Sequence, residues 1–373
     1  MLIVNAINFN TDQTLLCIST NNGFRLYNVS SFALVSSTTD INTNNIGNIA
    51  KCITLSTSSL IAYINKDISH RNCLYFWSES LSQKIAAIVL HKPITNFTLN
   101  LSVIGIELSE TNSYLLFHIN NLKYITSIED VKASTCSCIA HAQAQCITLA
   151  HVSNLNRNYI RIFKFKYEST MNNNVIITSY AMMSINSGFN DIQVLQLTTS
   201  FVIVSNEYGN KIHIYSLLDM TLKHCLFLGY FQYALTNVCV DVKEKFILLC
   251  TNSKYIKVFN LKTSTVLYKG KCGCAERSDG DIMQQHSHKQ RTLSFYIKKL
   301  LETTSDVHWK YRYNSNTELN VVCFDTKHKS NIMIIESNGH VSVLQFNRHI
   351  KRKGTCIEQY KLELLKYIFK YKN

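Results

Sequence analysis

The sequence has very little proline or glycine and few charged residues. It contains one Pro (Pro93) and 11 Gly in 373 residues, and Asp, Glu, Lys and Arg together make up 17%. These absences exclude collagen-like and proline-rich low-complexity chains, and 46% hydrophobic residues exclude a disordered chain. Asn, Thr and Ser must therefore supply the turns, which they do through side-chain hydrogen bonds to the local backbone.

Long apolar runs are also missing. No segment approaches the roughly 18 apolar residues that a membrane-spanning helix needs. The opening residues MLIVNAINFN lack the basic region and the continuous apolar region of a signal peptide. The 13 cysteines are spread through strand-like runs, which is typical of a reducing compartment. We expect a cytoplasmic protein.

Motifs of catalysis are absent as well. The sequence has no P-loop, no G-x-S-x-G elbow and no HExxH motif. Cys136 and Cys138 precede His141, but no third group is in evidence to orient such a pair, and a buried structural Cys is the commoner case. We expect no enzyme activity, no catalytic residues and no cofactor.

The chain instead carries an excess of positive charge. Lys and Arg number 38 against 24 Asp and Glu, a formal net charge of +14. Such an excess favours an anionic partner, namely a phosphorylated lipid, a nucleic acid or an acidic protein. The alternative is that the excess reflects only the general abundance of lysine in the sequence.

One two-strand pattern recurs seven times. Each unit has an apolar strand, a polar turn and an alternating strand that ends in a large apolar residue. The second strands are NNGFRLYN (21–28), NCLYFWS (72–78), NSYLLFH (112–118), NYIRIFK (158–164), GNKIHIYS (209–216), SKYIKVFN (253–260) and NGHVSVLQ (338–345). A repeat of about 40–50 residues built from short strands predicts a single all-β domain over residues 1–373, a seven-bladed β-propeller of the WD-repeat type. Two packed β-sandwiches are the rival fold, but they need no fixed period.

The last repeat is too long by about one unit. The surplus, residues 262–320, lacks the two-strand pattern and predicts a long insertion in blade six. Its segment RTLSFYIKKLLE (291–302) predicts a short basic amphipathic helix, which either lies in a membrane interface or packs on the propeller wall. The candidate membrane contacts are Leu293, Tyr296, Ile297, Lys298, Lys299, Leu300 and Leu301.

Two further polar segments are candidates for binding. Cys272, Cys274, His286 and His288 fall in the insertion, but their CxC and HxH spacings differ from those of common zinc sites, so we expect no metal. The basic run RHIKRK (348–353) is either an attachment to anionic lipid or a solvated hairpin.

The order and spacing of these units resemble the PROPPIN family, the WD-repeat phosphoinositide-binding propellers of autophagy. The segment NAINFNTDQTLLCISTNNGFRLYNV looks like the first blade of that family, YLLFHINNLKYITSI like its third, and NVVCFDTKHKSNIMIIESNGHVSVLQF like its last. NEYGNKIHIYSL and KFILLCTNSKYIKVFNL look like its fifth and sixth blades.

The family carries a Phe-Arg-Arg-Gly motif between blades five and six, whose two arginines point to opposite sides and help to hold two phosphoinositide headgroups. Counting from the flanking strands, the motif falls on the uncharged stretch Leu226, Phe227, Leu228 and Gly229, so both arginines are lost. Two further site positions of the family fall on His213 and Lys257, and Lys257 can still bind phosphate. The stretch LYKGKCG (267–273), with Lys269 and Lys271, is a second candidate for the motif.

The resemblance implies a monomeric, membrane-associated adaptor in autophagy that binds phosphoinositides weakly. It implies a peripheral location on autophagic, endosomal or vacuolar membranes, and a protein partner such as a lipid-transfer protein. The alternative is a protein-binding scaffold without lipid recognition. Binding to nucleic acid is not expected, because the basic residues are scattered and no RNA-reading motif is present.

Overall fold

The fold is seen in a computed structural model, in which 18 segments of the chain are described. They are residues 3–10, 13–29, 31–38, 46–55, 59–100, 102–108, 110–141, 146–169, 175–228, 234–241, 243–252, 255–261, 309–312, 320–324, 331–336, 340–345, 352–353 and 355–361. Most of the described residues are in β-strands, and the described part of the chain includes one 3₁₀ turn at Ile68–His70.

The strands form seven sheets, numbered here in chain order. Sheets 1 to 4 each have four antiparallel strands that follow one another along the chain. Sheet 1 contains β1 (Val4–Phe9), β2 (Leu15–Thr20), β3 (Gly23–Asn28) and β4 (Leu34–Ser37). Sheet 2 contains β5 (Ile49–Thr54), β6 (Leu60–Asn65), β7 (Cys73–Ser78) and β8 (Gln83–Val89). Sheet 3 contains β9 (Ile94–Leu99), β10 (Val103–Leu108), β11 (Ser113–His118) and β12 (Tyr124–Ile128). Sheet 4 contains β13 (Val131–His141), β14 (Cys146–Ser153), β15 (Tyr159–Ser169) and β16 (Val175–Asn186).

Sheets 5 to 7 continue this pattern with one exception: a short strand that lies between two strands of sheet 7 in the chain joins sheet 6. Sheet 5 contains β17 (Ile192–Leu197), β18 (Phe201–Asn206), β19 (Lys211–Ser216) and β20 (Leu222–Phe227). Sheet 6 contains β21 (Leu235–Val240), β22 (Phe246–Thr251), β23 (Tyr255–Asn260), β24 (Trp309–Arg312) and β28 (Arg352–Lys353). Sheet 7 contains β25 (Asn320–Phe324), β26 (Asn331–Glu336), β27 (His340–Gln345) and β29 (Thr355–Lys361). The short β28 pairs in parallel with β24, which gives sheet 6 its fifth strand.

The hydrophobic core shows that the sheets stand in a ring. Successive clusters of buried side chains join sheets 1 and 2, 2 and 3, 3 and 4, 4 and 5, and 5 and 6. The largest cluster closes the circle, because it joins sheets 6 and 7 to sheet 1 and includes Leu16, Leu248 and Ile334. Alternate side chains of a strand point to opposite faces, so each sheet contributes to two of these interfaces. This arrangement is a β-propeller.

The seven strand pairs expected from the sequence are all present. Each second strand pairs antiparallel with the strand before it, from β2 with β3 to β26 with β27. The rival arrangement of two packed sandwiches is wrong, because the buried clusters run from sheet to sheet around a closed circle.

Lysine side chains tie first strands of neighbouring sheets together. The Nζ atom of Lys51 donates to the Oδ1 atom of Asn96 at 2.6 Å and to the carbonyl oxygen of Phe97 at 3.0 Å, which joins β5 to β9. Lys132 on β13 forms a salt bridge with Asp191 at 2.6 Å, just before β17. Burial lowers the pKa of Lys51 to about 8. These contacts supplement the apolar interfaces with directional bonds.

Candidate functional site

The stretch that the resemblance aligns with the family's Phe-Arg-Arg-Gly motif lies at the end of β20, the outermost strand of sheet 5. Leu226 pairs with Ile212 and Phe227 with Lys211. The backbone N–H of Leu228 then donates to the carbonyl oxygen of Asn210 at 2.8 Å. These pairings fix the direction of each side chain. Gly229 lies outside the described residues.

The side chains at the two arginine positions point to opposite faces of sheet 5, and both are buried. Leu226 and Leu228 belong to the cluster between sheets 5 and 6, and Phe227, between them in the chain, points the other way. Only 8% of Phe227 and 4% of Leu228 are exposed. Neither side chain can present a charge to a ligand, so this stretch acts as core.

His213 is also enclosed. Only 2% of it is exposed, and the ring of Phe189 lies 4.2 Å from its own ring, centre to centre. Its Nδ1 atom lies 3.0 Å from the carbonyl oxygen of Ser187 and 3.1 Å from the hydroxyl of Tyr215. Burial lowers the pKa of His213 to about 4. The imidazole is therefore neutral at pH 7 and offers no positive charge to a phosphate.

Lys257 is a cation that the fold brings to the motif from the neighbouring sheet. It lies on β23 in sheet 6, paired with Leu249 and Lys310. Its Nζ atom donates to the carbonyl oxygen of Leu228 at 3.2 Å, across the interface between sheets 5 and 6. Two of the positions predicted from sequence, Lys257 and Leu228, are thus in direct contact, whereas His213 points into the other interface of sheet 5, toward sheet 4.

A cavity of about 670 Å³ lies at the opposite end of the same strands. Its walls come from sheet 4, from the two hairpins at that end of sheet 5, and from sheet 6. They are formed by Lys164, Thr199, Ser200, Phe201, Ser216, Leu217, Leu218, Lys223, His224, Glu244 and Leu261. Leu261 is the last described residue before 262–308, so the cavity adjoins the start of the predicted insertion.

The charged groups around the cavity are already engaged. The carboxylate of Glu244 accepts hydrogen bonds from the hydroxyl of Thr199 at 2.7 Å and the backbone N–H of Ser200 at 3.2 Å. Burial alone would raise the pKa of Glu244, but these bonds lower it overall. Lys223 forms a salt bridge with Asp219 at 2.6 Å. The charged side chains around the cavity are therefore largely balanced.

Sequence reasoning missed this cavity. The polar run Thr198, Thr199 and Ser200 between two apolar strands was a signal, but it reads equally well as an ordinary turn. What makes it a cavity wall is the approach of Glu244 from sheet 6, which lies far away in the chain.

Several predicted binding residues lie outside the described residues. They are the helix candidates Leu293, Tyr296, Ile297, Lys298, Lys299, Leu300 and Leu301, the possible metal ligands Cys272, Cys274, His286 and His288, and the second motif candidates Lys269 and Lys271. Among the residues that are described, no helix is long and apolar enough to cross a membrane. The same part of the chain holds no cluster of three or more His, Cys, Asp or Glu side chains suited to a metal ion.

Comparison with known proteins gives a match in structure and none in sequence. No family model matches the chain, and no curated protein matches its sequence. Hsv2 from Kluyveromyces lactis superposes with a TM-score of 0.71 at 12% identity, covering 97% of this chain and 100% of that chain. The same protein with its complete loop 6CD gives a TM-score of 0.70 at 13% identity, with 97% and 100% covered. KlAtg21 in complex with the coiled coil of AgAtg16 gives 0.69 at 14% identity, with 96% and 99% covered.

These neighbours are PROPPIN propellers. The coverage is nearly complete in both directions, so the likeness extends over the whole ring and is not limited to a few blades. Similarity at this level of identity establishes the fold. The resemblance expected from the sequence is confirmed to that extent: the chain is an all-β propeller with the architecture of the Hsv2 and Atg21 structures.

Proposed function

We propose that this chain is a divergent PROPPIN-type propeller that acts as a membrane-associated adaptor in autophagy and binds phosphoinositide headgroups weakly. The observation that carries the proposal is the match over 96–97% of the chain to Hsv2 and Atg21 structures. We further propose that the seven sheets are seven blades and that β24 is the fourth strand of blade six, separated from β23 by residues 261–308. One solved Hsv2 neighbour contains its complete loop 6CD, and we propose that residues 262–308 are the counterpart of that loop.

The proposed weakness of headgroup binding follows from the side chains at the motif. Each charged hydrogen bond to a phosphate contributes about 1.5–3 kcal/mol, so the loss of two arginines removes several kcal/mol of affinity. Phe227 and Leu228 cannot replace those bonds, since both are buried and apolar. Lys257 supplies one cation beside the backbone of Leu228. We infer that any remaining preference for a phosphoinositide depends on Lys257.

Flotation of the purified protein with vesicles tests this proposal. Neutral vesicles, vesicles with phosphatidylserine and vesicles with phosphatidylinositol 3-phosphate at matched total charge are compared at two salt concentrations. We expect the phosphoinositide vesicles to recover more protein than the phosphatidylserine vesicles. The Lys257→Met variant should lose this excess. The Lys243→Met variant should keep it, because Lys243 is exposed on the hairpin between β21 and β22.

The predicted membrane helix is tested in the same assay. The double variant Lys298→Glu and Lys299→Glu should reduce recovery on all anionic vesicles, because each basic residue near an anionic surface contributes about 1 kcal/mol. Unchanged recovery would remove this helix from the mechanism.

The second candidate function is a protein-binding scaffold without lipid recognition. The enclosure of His213 against Phe189 favours it, because a second position of the family's headgroup site has also become core. One solved neighbour, KlAtg21, is bound to the coiled coil of AgAtg16. Recovery that follows vesicle charge alone, or no recovery at all, would refute the adaptor with lipid recognition and favour the scaffold.

A further inference from the structure

The outer edge of sheet 4 differs from the other described edges of the propeller. Strand β16 (Val175–Asn186) has 12 residues and is the longest strand in the described part of the chain. It lies at the end of its sheet, with β15 as its one neighbour among the described strands. A strand in this position has unpaired backbone N–H and C=O groups along its free side.

Within the described part of the chain, most of this edge has no charge or proline to protect it, and its bulge lies near its start. Proteins normally blunt an exposed edge strand with charge, proline or short length. Among the other outer strands, β8, β20 and β29 carry charged residues, and β4 and β12 have only four and five residues. Strand β16, with the sequence VIITSYAMMSIN, has no charged residue and no proline.

A β-bulge sets the limit of the regular edge. The pairing of β15 with β16 is continuous from Tyr159 opposite Asn186 to Lys166 opposite Ser179, and it then shifts by one residue at Thr178. A bulge bends and twists a strand, so an added strand would pair with Ser179–Asn186 only. That span is about 25 Å long at roughly 3.4 Å per residue.

One face of this edge is apolar. Tyr180 is 58% exposed and Met182 is 59% exposed. The ring of Tyr180 lies 5.8 Å from that of Phe163 and 6.1 Å from that of Phe165, with the second pair nearly parallel. Tyr180 is therefore held in place by buried aromatic neighbours, and together with Met182 it forms a prepared surface for an apolar side chain.

The other face has an available positive charge. Lys166 lies opposite Ser179 and is exposed, and its side chain makes no ion pair or hydrogen bond within the described part of the chain. Ser179 and Ala181 are small, so the long lysine side chain can extend across them to a carboxylate on an added strand. Lys164, opposite Ala181, is instead held by the carbonyl oxygen of Leu217 at 2.9 Å. Glu168, the nearby acidic residue on β15, lies beyond the bulge, opposite Ile176. We therefore expect the acidic residue of the added strand to lie near Ser179.

We propose that Ser179–Asn186 binds an extended segment of another protein, which adds to sheet 4 as a fifth strand and carries apolar residues on one face and an acidic residue on the other. Backbone hydrogen bonds hold such a segment, and its side chains set the specificity: the acidic residue meets Lys166, and apolar side chains meet Tyr180 and Met182. A second copy of this chain fits less well, because each copy has a formal net charge of +14. The inference goes beyond the proposed function and does not rest on it.

Binding of a synthetic eight-residue peptide of alternating Glu and Val tests the proposal. Fluorescence anisotropy with the full chain should show at least tenfold tighter binding than for the matching peptide of alternating Lys and Val. The Lys166→Glu variant should weaken binding of the Glu peptide at least tenfold. Lys243→Glu, which makes the same change in net charge on sheet 6, should change it less than twofold. Hydrogen exchange should then show new protection of backbone amides within residues 179–186.

Four results would overturn the inference. Equal weakening by Lys166→Glu and Lys243→Glu would show that net charge alone explains the binding of the Glu peptide. Protection of other strands, or no binding of the Glu peptide, would place the partner elsewhere or remove it. A concentration-dependent dimer in light scattering that the exposed substitution Tyr180→Lys abolishes would identify the occupant as a second copy of the chain.

Discussion

Replacement of Leu228 by alanine tests whether the position of a family arginine has become part of the core. Leu228 is 4% exposed and packs in the cluster between sheets 5 and 6. If the position were a surface site for a ligand, truncation would leave stability almost unchanged. If it is core, truncation removes buried methyl groups and leaves a cavity between two sheets.

The size of the effect follows from this burial. Leu→Ala at buried positions costs about 2–5 kcal/mol, the lower values where the surroundings can collapse into the space. Leu228 lies at the end of its strand, where such collapse is easier, so we expect about 2–3 kcal/mol. The backbone carbonyl that accepts the bond from Lys257 is retained in the variant, so the loss reports packing alone.

Urea denaturation followed by fluorescence measures the loss. With a slope of about 3 kcal/mol per molar urea, the midpoint should fall by about 0.7–1 M with the slope unchanged. Leu218→Ala is the matched control, since Leu218 is 95% exposed on the hairpin at the other end of sheet 5, and its midpoint should stay within about 0.2 M. Equal midpoints for the two variants would refute the assignment of Leu228 to the core.

Three further predictions follow from individual side chains. The ring of His213 should titrate in NMR with a pKa of about 4. Its pKa in the unfolded chain is about 6.5, so the free energy of unfolding should fall as the pH drops from about 6.5 to 4. The His213→Gln variant should show a smaller fall over the same pH range. Lys51→Met should lower the free energy of unfolding by about 1–3 kcal/mol, because two acceptors of sheet 3 lose their donor, while Lys243→Met should cost under about 0.5 kcal/mol in the same denaturation assay. Cys138 should resist iodoacetamide at pH 8 in the folded protein and react after unfolding, as counted by mass spectrometry, because burial raises its pKa to about 12.

The sequence by itself determined the repeating unit of the fold. The alternation in stretches such as GNKIHIYS and the preceding SFVIVSN depends on neighbours along the chain, because a strand shows its two faces at every second residue. All seven hairpins could therefore be predicted, and the order of the blades followed from their order in the sequence. The sequence alone also shows that the stretch aligned with the family's motif, Leu226 to Gly229, contains no arginine.

Only the tertiary structure decided what the altered positions do. Whether His213 faces a ligand or the core depends on Phe189, which lies in the connection between β16 and β17. The contact between Lys257 and Leu228 and the cavity beside Glu244 each join residues from two sheets. Likewise, VIITSYAMMSIN reads as an ordinary strand, and its position at the edge of sheet 4 comes from the order of the described strands. Interfaces between sheets are set by packing across the ring, which local periodicity does not encode.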